Sequence, residues 1–493
     1  MSIISKKSSA LFLLGFAYAF LFHEAELGLN LFLFDALLLL LALWARPELG
    51  KHRGFIWSVA GLLFAAGSVV IVHGSASIFV HHLTYFLVLG FAQARELRFV
   101  WFGLLIGLIS LFQGPFRWGR QYLGRLTTSQ REGAIASRLK GIRHLVLPVI
   151  IVVPFLLFYL TGNSRFADGV GWLINLIPAI NFNQAVGWNL LLFTFALLLT
   201  AGLFFVRSGS WQLVRWQNDF EDALHRRRAP RTPTQHLRGR IKRVTAIPSK
   251  MMALKHEHQR AILTFGALNI LLALVNATDL RFVWLTTAEL PASTLSHYVH
   301  VGTYNLIFSI FLAMAVVFYF FRGNLNFYPN SQVLRPLARL WIAQNALLAG
   351  SVGVRNWHYI DAYGLAIGRV YVGLVLLLIL FGLFTLLRKI NRRLSLSFLL
   401  QTNGMALWLS LLIFGAVNWT NVITRYNLAQ EDTAAIDWHH LSIFLDDRNL
   451  FLINQHPHLP PSLKKDPKEL HWRTYKDWRS WNYPDWRNKR WLE

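Results

Sequence analysis

Val370–Leu387 reads V-Y-V-G-L-V-L-L-L-I-L-F-G-L-F-T-L-L, with Arg369 before it and Arg388-Lys389 after it. These 18 residues pass without a charge, and a helix needs about 20 mostly apolar residues to cross the hydrocarbon core of a bilayer. A surface that apolar has no stable place in water. Leu31–Trp44, interrupted by Asp35, and Val146–Leu160 are also too apolar for water. The stretch reads as a membrane span.

Working outward, segments of this character lie at 8–23, 28–45, 54–73, 76–94, 99–114, 144–161, 187–206, 261–278, 301–321, 336–354, 368–387 and 395–418. The alternating pattern of barrel strands is absent. The predicted fold is therefore all-α, a polytopic transmembrane helical bundle of eleven or twelve spans. Segment 8–23 reads as a span rather than a cleaved signal, being long and lacking a small-residue cleavage site after it. Composition agrees: 54% of the 493 residues are hydrophobic and only 15% charged, against about 25% in soluble domains. That excludes a soluble multidomain enzyme and a disordered chain. The absence of cysteine excludes a disulfide scaffold, a thiol enzyme and a cysteine zinc site.

The net charge of +25 is concentrated in loops. Segment 115–143 holds seven basic residues against one acid, and 207–260 holds thirteen against four, including Arg226-Arg227-Arg228. The positive-inside rule assigns both to the cytoplasm, and the nearly neutral 162–186, 279–300 and 355–367 to the other side. Lys6-Lys7 and Arg46, Lys51 and Arg53 also argue for inside positions, yet five spans before 115–143 would put that loop outside. One of the five must then be interfacial or re-entrant. Segment 76–94, with His81, His82, Thr84 and Tyr85, is the least apolar and the first candidate.

Loop 207–260, with Pro230, Pro233 and Pro248, divides the helices about evenly. It separates an N-terminal transmembrane half, 1–206, from a C-terminal half, 261–427. Residues 428–493 form a polar tail with balanced charge, crowded at its end with Trp472, Trp478, Trp481, Trp486 and Trp491. Parity of the spans predicts that the tail lies outside. Its tryptophans suit a membrane surface, a protein partner or a small core of their own.

Several chemistries find no support. No phosphate-binding glycine loop and no H-E-x-x-H motif occur, so neither a nucleotide cofactor nor a metal is expected. His297 and His300 have a spacing that fits ligation, but no acid cluster accompanies them, and an interfacial pair has the same pattern. The basic loops could bind nucleic acid. Topology already demands them, however, and anionic membrane lipids are the expected partner.

Polar residues gather in three runs on the outer side: Val354–Gly364 followed by Arg369, Asn418–Asn427, and Asn276–Arg281. A cation beside lipid tails is costly unless it reaches the interface or a polar cavity. One reading is an aromatic belt with snorkelling arginines. The other is an outward-facing pocket for an anionic group, lined by Arg355, His358, Tyr363, Arg369 and Arg425 with Asp279 and His300. With Asp279 and Asp361 neutralising two of the three arginines, one guanidinium is left to grip a phosphate or carboxylate.

At these residues the chain resembles a bacterial inner-membrane family known as domain of unknown function 4173, and its relative 4153. Phe22–Phe32 is similar to the family's opening block, and His300-Val301-Gly302-Thr303-Tyr304-Asn305-Leu306-Ile307 to its H-x-G-x-x-x-L-I block. Tyr363-Gly364-Leu365 with Arg369 resembles Y-G-L-T-x-x-R, departing at Ala366, where threonine is usual. Thr424-Arg425-Tyr426-Asn427-Leu428 resembles A-R-Y-N-L, with Thr424 in place of alanine. The resemblance implies a multi-pass protein of the bacterial inner (cytoplasmic) membrane and brings no activity with it.

Three function classes follow. Two helical halves joined by a basic loop suit transport or translocation of an anionic or lipid-linked substrate. A membrane-embedded transferase acting on a lipid phosphate would use His358 or His300 beside Asp361 or Asp279 as base, and Arg355, Arg369 or Arg425 as electrostatic partner. A sensor or assembly component would dock partners through the tryptophan-rich tail.

Overall fold

The computed structural model describes residues 3–126, 184–205, 212–219, 240–281, 292–321, 324–328, 332–430, 436–441, 449–464, 475 and 477–492. Among them there is no strand. The long helices are α1 (Ile3–Phe22), α2 (Leu29–Ala45), α3 (Arg53–Val72), α4 (Ser75–Phe91), α5 (Val100–Leu126) and α6 (Gln184–Phe205). After the short α7 (Gln212–Asp219) come α8 (Arg240–Asp279), α9 (Ala292–Phe320), α10 (Leu334–Tyr363), α11 (Ile367–Arg392) and α12 (Leu396–Gly415). The shorter α13 (Trp419–Leu428), α14 (Leu450–Asn454) and α15 (Tyr483–Leu492) follow. Each long helix covers one of the expected segments; 144–161 lies outside the described residues. By length and composition six helices can cross a membrane, over Arg53–Val72, Val100–Gln121, Trp188–Phe205, Leu254–Asp279, Ile367–Arg392 and Leu396–Gly415. The fold is an all-α polytopic bundle.

Local chemistry sets the turns. Buried Asn30 fastens the α1–α2 connection: its Oδ1 accepts from the Gly28 and Leu31 amides, and its Nδ2 donates to the Leu21 and Glu26 carbonyls. The connection would otherwise leave these backbone groups unpaired at the bundle's end. His73, in the left-handed region at φ 51°, stops α3. Ser77 then caps α4, bonding both the amide and the carbonyl of Gly74.

Two apolar cores result. The first unites α1–α6 with Trp408 and Leu412 of α12, and the second unites α8–α11. Helix α12 thus belongs to the C-terminal half by sequence and to the first core by packing. Its Trp408 ring lies over Gly61, and the indole N–H donates to Thr84 at 3.1 Å. That bond satisfies the polar atom that burial of a large aromatic would otherwise strand.

The helix ends sort by charge. At one end Lys6 lies over the Trp44 ring at 5.6 Å. There Arg46 donates to the carbonyls of Leu203 at 2.7 Å and Ala92 at 3.0 Å. In the second core Lys389 donates to Phe321 O at 2.7 Å, and Arg335 to Asn326 O. Helix α12 ties the two together. It starts three residues after Arg393, passes Trp101 at Gly404, and ends with Gly415 against Ser77. The α1–α2 and α3–α4 turns, the α10–α11 break and the tail share the opposite end.

Helix α4, 17 residues long and so about 25 Å, runs from one end to the other. Helix α5 begins at the basic end, where Gln217 accepts from the Arg98 amide at 2.7 Å, and packs Gly103 and Gly107 against Gly90 and Phe86. Farther along, Gly114 meets Gly202, and the Trp118 ring lies 6.3 Å from Phe205 and 5.7 Å from Phe12. Small residues on α4, α5 and α6 allow the close approach.

The tail closes the far end. Leu29 N donates to Trp481 O at 2.8 Å, and Glu26 N to Ser480 Oγ at 2.9 Å. Arg479 donates to Phe20 O and to Asp477, the latter at 2.5 Å. A Cβ on Gly28 would stand 2.5 Å from the Ser480 carbonyl oxygen, so only glycine admits the strap there.

Candidate functional site

Helix α10 ends at Gly364, whose φ of 74° needs the left-handed region open to glycine. The chain then turns through Leu365 and Ala366 into α11. Asn427 of α13 clamps this break: its Oδ1 accepts from Leu365 N at 2.6 Å, and its Nδ2 donates to Leu365 O at 2.8 Å. The two short blocks around Leu365 and Asn427, 62 residues apart, thus meet. A Cβ at Gly364 would collide with the Asn427 carboxamide.

Arg369, in the first turn of α11, completes the arrangement. Its Nη1 donates to Tyr363 O at 2.9 Å and also to Gly364 O. These carbonyls close α10 and would otherwise lack partners. The guanidinium carbon lies 4.1 Å from the centre of the Tyr359 ring and 5.9 Å from that of Tyr363, a cation–π arrangement worth about 0.5–2 kcal/mol. Nε and Nη2 make no hydrogen bond among the described residues. Asn356 Nδ2 donates to Arg369 O at 3.1 Å.

A cavity of about 240 Å³ opens here, lined by Tyr359, Tyr363, Arg369 and Asn427 and bounded by Asp437 and His440 of the tail. Asp437 Oδ1 accepts from the His440 amide at 2.9 Å. The cavity therefore joins a fixed cation, tyrosine rings, a carboxamide, a carboxylate and an imidazole.

Of the residues expected at a pocket, Tyr363 and Arg369 line this cavity. Arg355 and Asp279 form a buried ion pair between α10 and α8, outside the lining. His358 and Arg425 are exposed and do not line it, and Asp361 is exposed as well. His300 lies in α9 with its side chain outside the described residues. Asn427 stood in a recognised block without a role. Asp437 and His440 gave no signal, because only the folded tail brings them to the break.

A second polar site lies in the first core. Asp35 of α2 and His81 of α4 meet at 2.6 Å, with relative exposures of 1% and 3%. His81 Nδ1 is buried and has no hydrogen-bond partner among the described residues. One turn on, Tyr85 donates to Leu199 O at 3.2 Å.

An all-helical, multi-pass membrane protein with a polar cavity at one end of its bundle is the class that these features define. Nothing in the cavity restricts it to one reaction. The chain belongs to the family described as Domain of unknown function (DUF4153), which matches residues 54–454. Of the two related families that its blocks resemble, 4153 is the one matched, and the Phe22–Phe32 block precedes the matched region. No curated protein and no solved structure matches the chain.

Proposed function

We propose that this integral membrane protein transports or translocates an anionic or lipid-linked substrate across a bacterial inner membrane, receiving it at the Arg369 cavity on the outer side. Arg369 carries the reading. One of its nitrogens is spent on capping α10, which holds the guanidinium in place, and the remaining edge keeps donors for a phosphate or carboxylate. Rigid placement lowers the ordering cost of binding. Asp437, the carboxylate of the lining, is engaged by the His440 amide. The buried Arg355–Asp279 pair supports the wall and carries no surplus charge toward a ligand.

A transferase is the second reading, favoured by His440 at the same cavity with Asp437 three residues before it. An imidazole within reach of a bound hydroxyl is a candidate general base.

Melting of the purified protein in neutral detergent, with and without glycerol 3-phosphate, tests the anion site. The ligand should raise the melting temperature of the wild type, and Arg369→Lys should lose most of that rise, as should Arg369→Ala, because lysine keeps the charge but not the fork. An equal rise in all three proteins, or none in the wild type, overturns the reading.

A further inference from the structure

Two helices that wall the cavity continue the same seam toward the basic end. On α11, Arg369, Val372, Val375, Ile379, Gly382 and Leu386 follow at steps of three and four, which is one helical face. On α9, Tyr304, Phe311, Met314 and Phe318 follow at steps of seven, three and four, which also keeps one face. The first members of each series line the polar cavity. The later ones line a separate groove of about 490 Å³, closed on its far side by Trp101 of α5 and Leu399 of α12. Chemistry changes sharply along the seam. The groove's polar side chain is Asn403, and its carboxamide is occupied by Thr385 and Leu399.

The groove is kept open by small side chains. A Cβ at Gly382 would touch only the Met314 sulfur, at 3.4 Å, and one at Gly368, beside the cavity, would meet nothing within 4 Å. From Arg369 to Leu386 the face runs 17 residues, about 25 Å along the axis, against a hydrocarbon core of about 30 Å. Outside it, Leu377 and Phe384 stand well exposed, as side chains facing lipid would.

Resting on the anion-site reading above, we propose that the ligand is a membrane lipid. Its phosphate headgroup sits at Arg369 and the Tyr359–Tyr363 rings, and one acyl chain lies in the α9–α11 groove below. A polar cavity over an apolar slot that follows α11 from Val375 to Leu386, about 16 Å or roughly one leaflet of hydrocarbon, is complementary to an amphiphile and gives a water-soluble anion no use for the slot. Headgroup charge supplies orientation, and apolar contact along the groove supplies most of the affinity.

The test compares glycerol 3-phosphate with dioleoyl phosphatidic acid, titrated onto the full chain in neutral detergent and read by melting temperature and native mass spectrometry. The wild type should bind the lipid at least tenfold more tightly than the soluble anion. Gly382→Leu, which fills the groove from α11, should lower lipid affinity at least tenfold, and Ala315→Leu, which fills it from α9, should do the same. Lipid binding that is unchanged in both variants, or no tighter than that of glycerol 3-phosphate, overturns the lipid assignment while leaving the anion site standing. Failure of the wild type to respond to either probe removes the anion site itself, and the lipid assignment with it.

Discussion

Replacing His81 with leucine would leave Asp35 alone in the first core. The pair is 2.6 Å apart and almost wholly buried between α2 and α4. Whether the proton resides on imidazole or carboxyl, each group is the other's hydrogen-bond partner. Removing one member of a buried pair typically costs about 3–5 kcal/mol, because the survivor keeps its desolvation penalty without compensation. Asp35→Asn retains the shape and a neutral hydrogen bond, so its cost should stay near 1 kcal/mol. The double variant Asp35→Leu/His81→Leu removes both penalties and should recover most of the stability lost by His81→Leu alone. Denaturation in mixed micelles, followed by tryptophan fluorescence and run on Asp35→Leu as well, gives the four differences, and the cycle of the two leucine singles and their double gives the coupling. If His81→Leu unfolds at the wild-type midpoint, or the double variant loses the sum of both single effects, Asp35 and His81 are not a mutually dependent buried pair.

Gly107→Ala should destabilise by about 1–3 kcal/mol, since its Cβ would run into the Phe86 carbonyl and force α4 and α5 apart; Gly67→Ala, with nothing within 4 Å, should be neutral or mildly stabilising in the same denaturation assay. In the tail, hydrogen bonding from the Arg479 side chain and then its amide holds the Asp477 carboxyl below its ordinary value. A depressed folded-state value means that the stabilisation is present above the ordinary carboxylate pKa and is lost as the pH falls through the depressed one. The strap over the α1–α2 turn should therefore become protease-sensitive in acid and stay protected at neutral pH; protection unchanged in acid would refute this.

The bundle was legible because its signal is redundant. Val370–Leu387 or Leu31–Trp44 can lose any one residue and still read as a span. Polar partnerships have no such redundancy. Asp35 sits inside Leu31–Trp44, and nothing local announces that its partner is His81, 46 residues away. Arg369 was legible as a costly cation, but its duty as a cap depends on Gly364 taking a left-handed conformation. Arg355 and Asp279 were expected beside Arg369; a helix face instead turns them toward each other, away from the cavity.

The strap between the first turn and the tail also sets a clock. Ser480 leaves the ribosome 454 residues after Glu26, which at roughly 5–20 residues per second is about 20–90 s. For all that time α1 and α2 must sit in the membrane with the Glu26 and Leu29 amides bonded to water. Insertion of the hairpin therefore cannot depend on the contact that later fastens it. The 477–481 stretch arrives as a latch on a hairpin already inserted, so a chain stalled before residue 480 is left with an open α1–α2 turn. A protease patrolling that face of the membrane would have a means of distinguishing finished chains from unfinished ones.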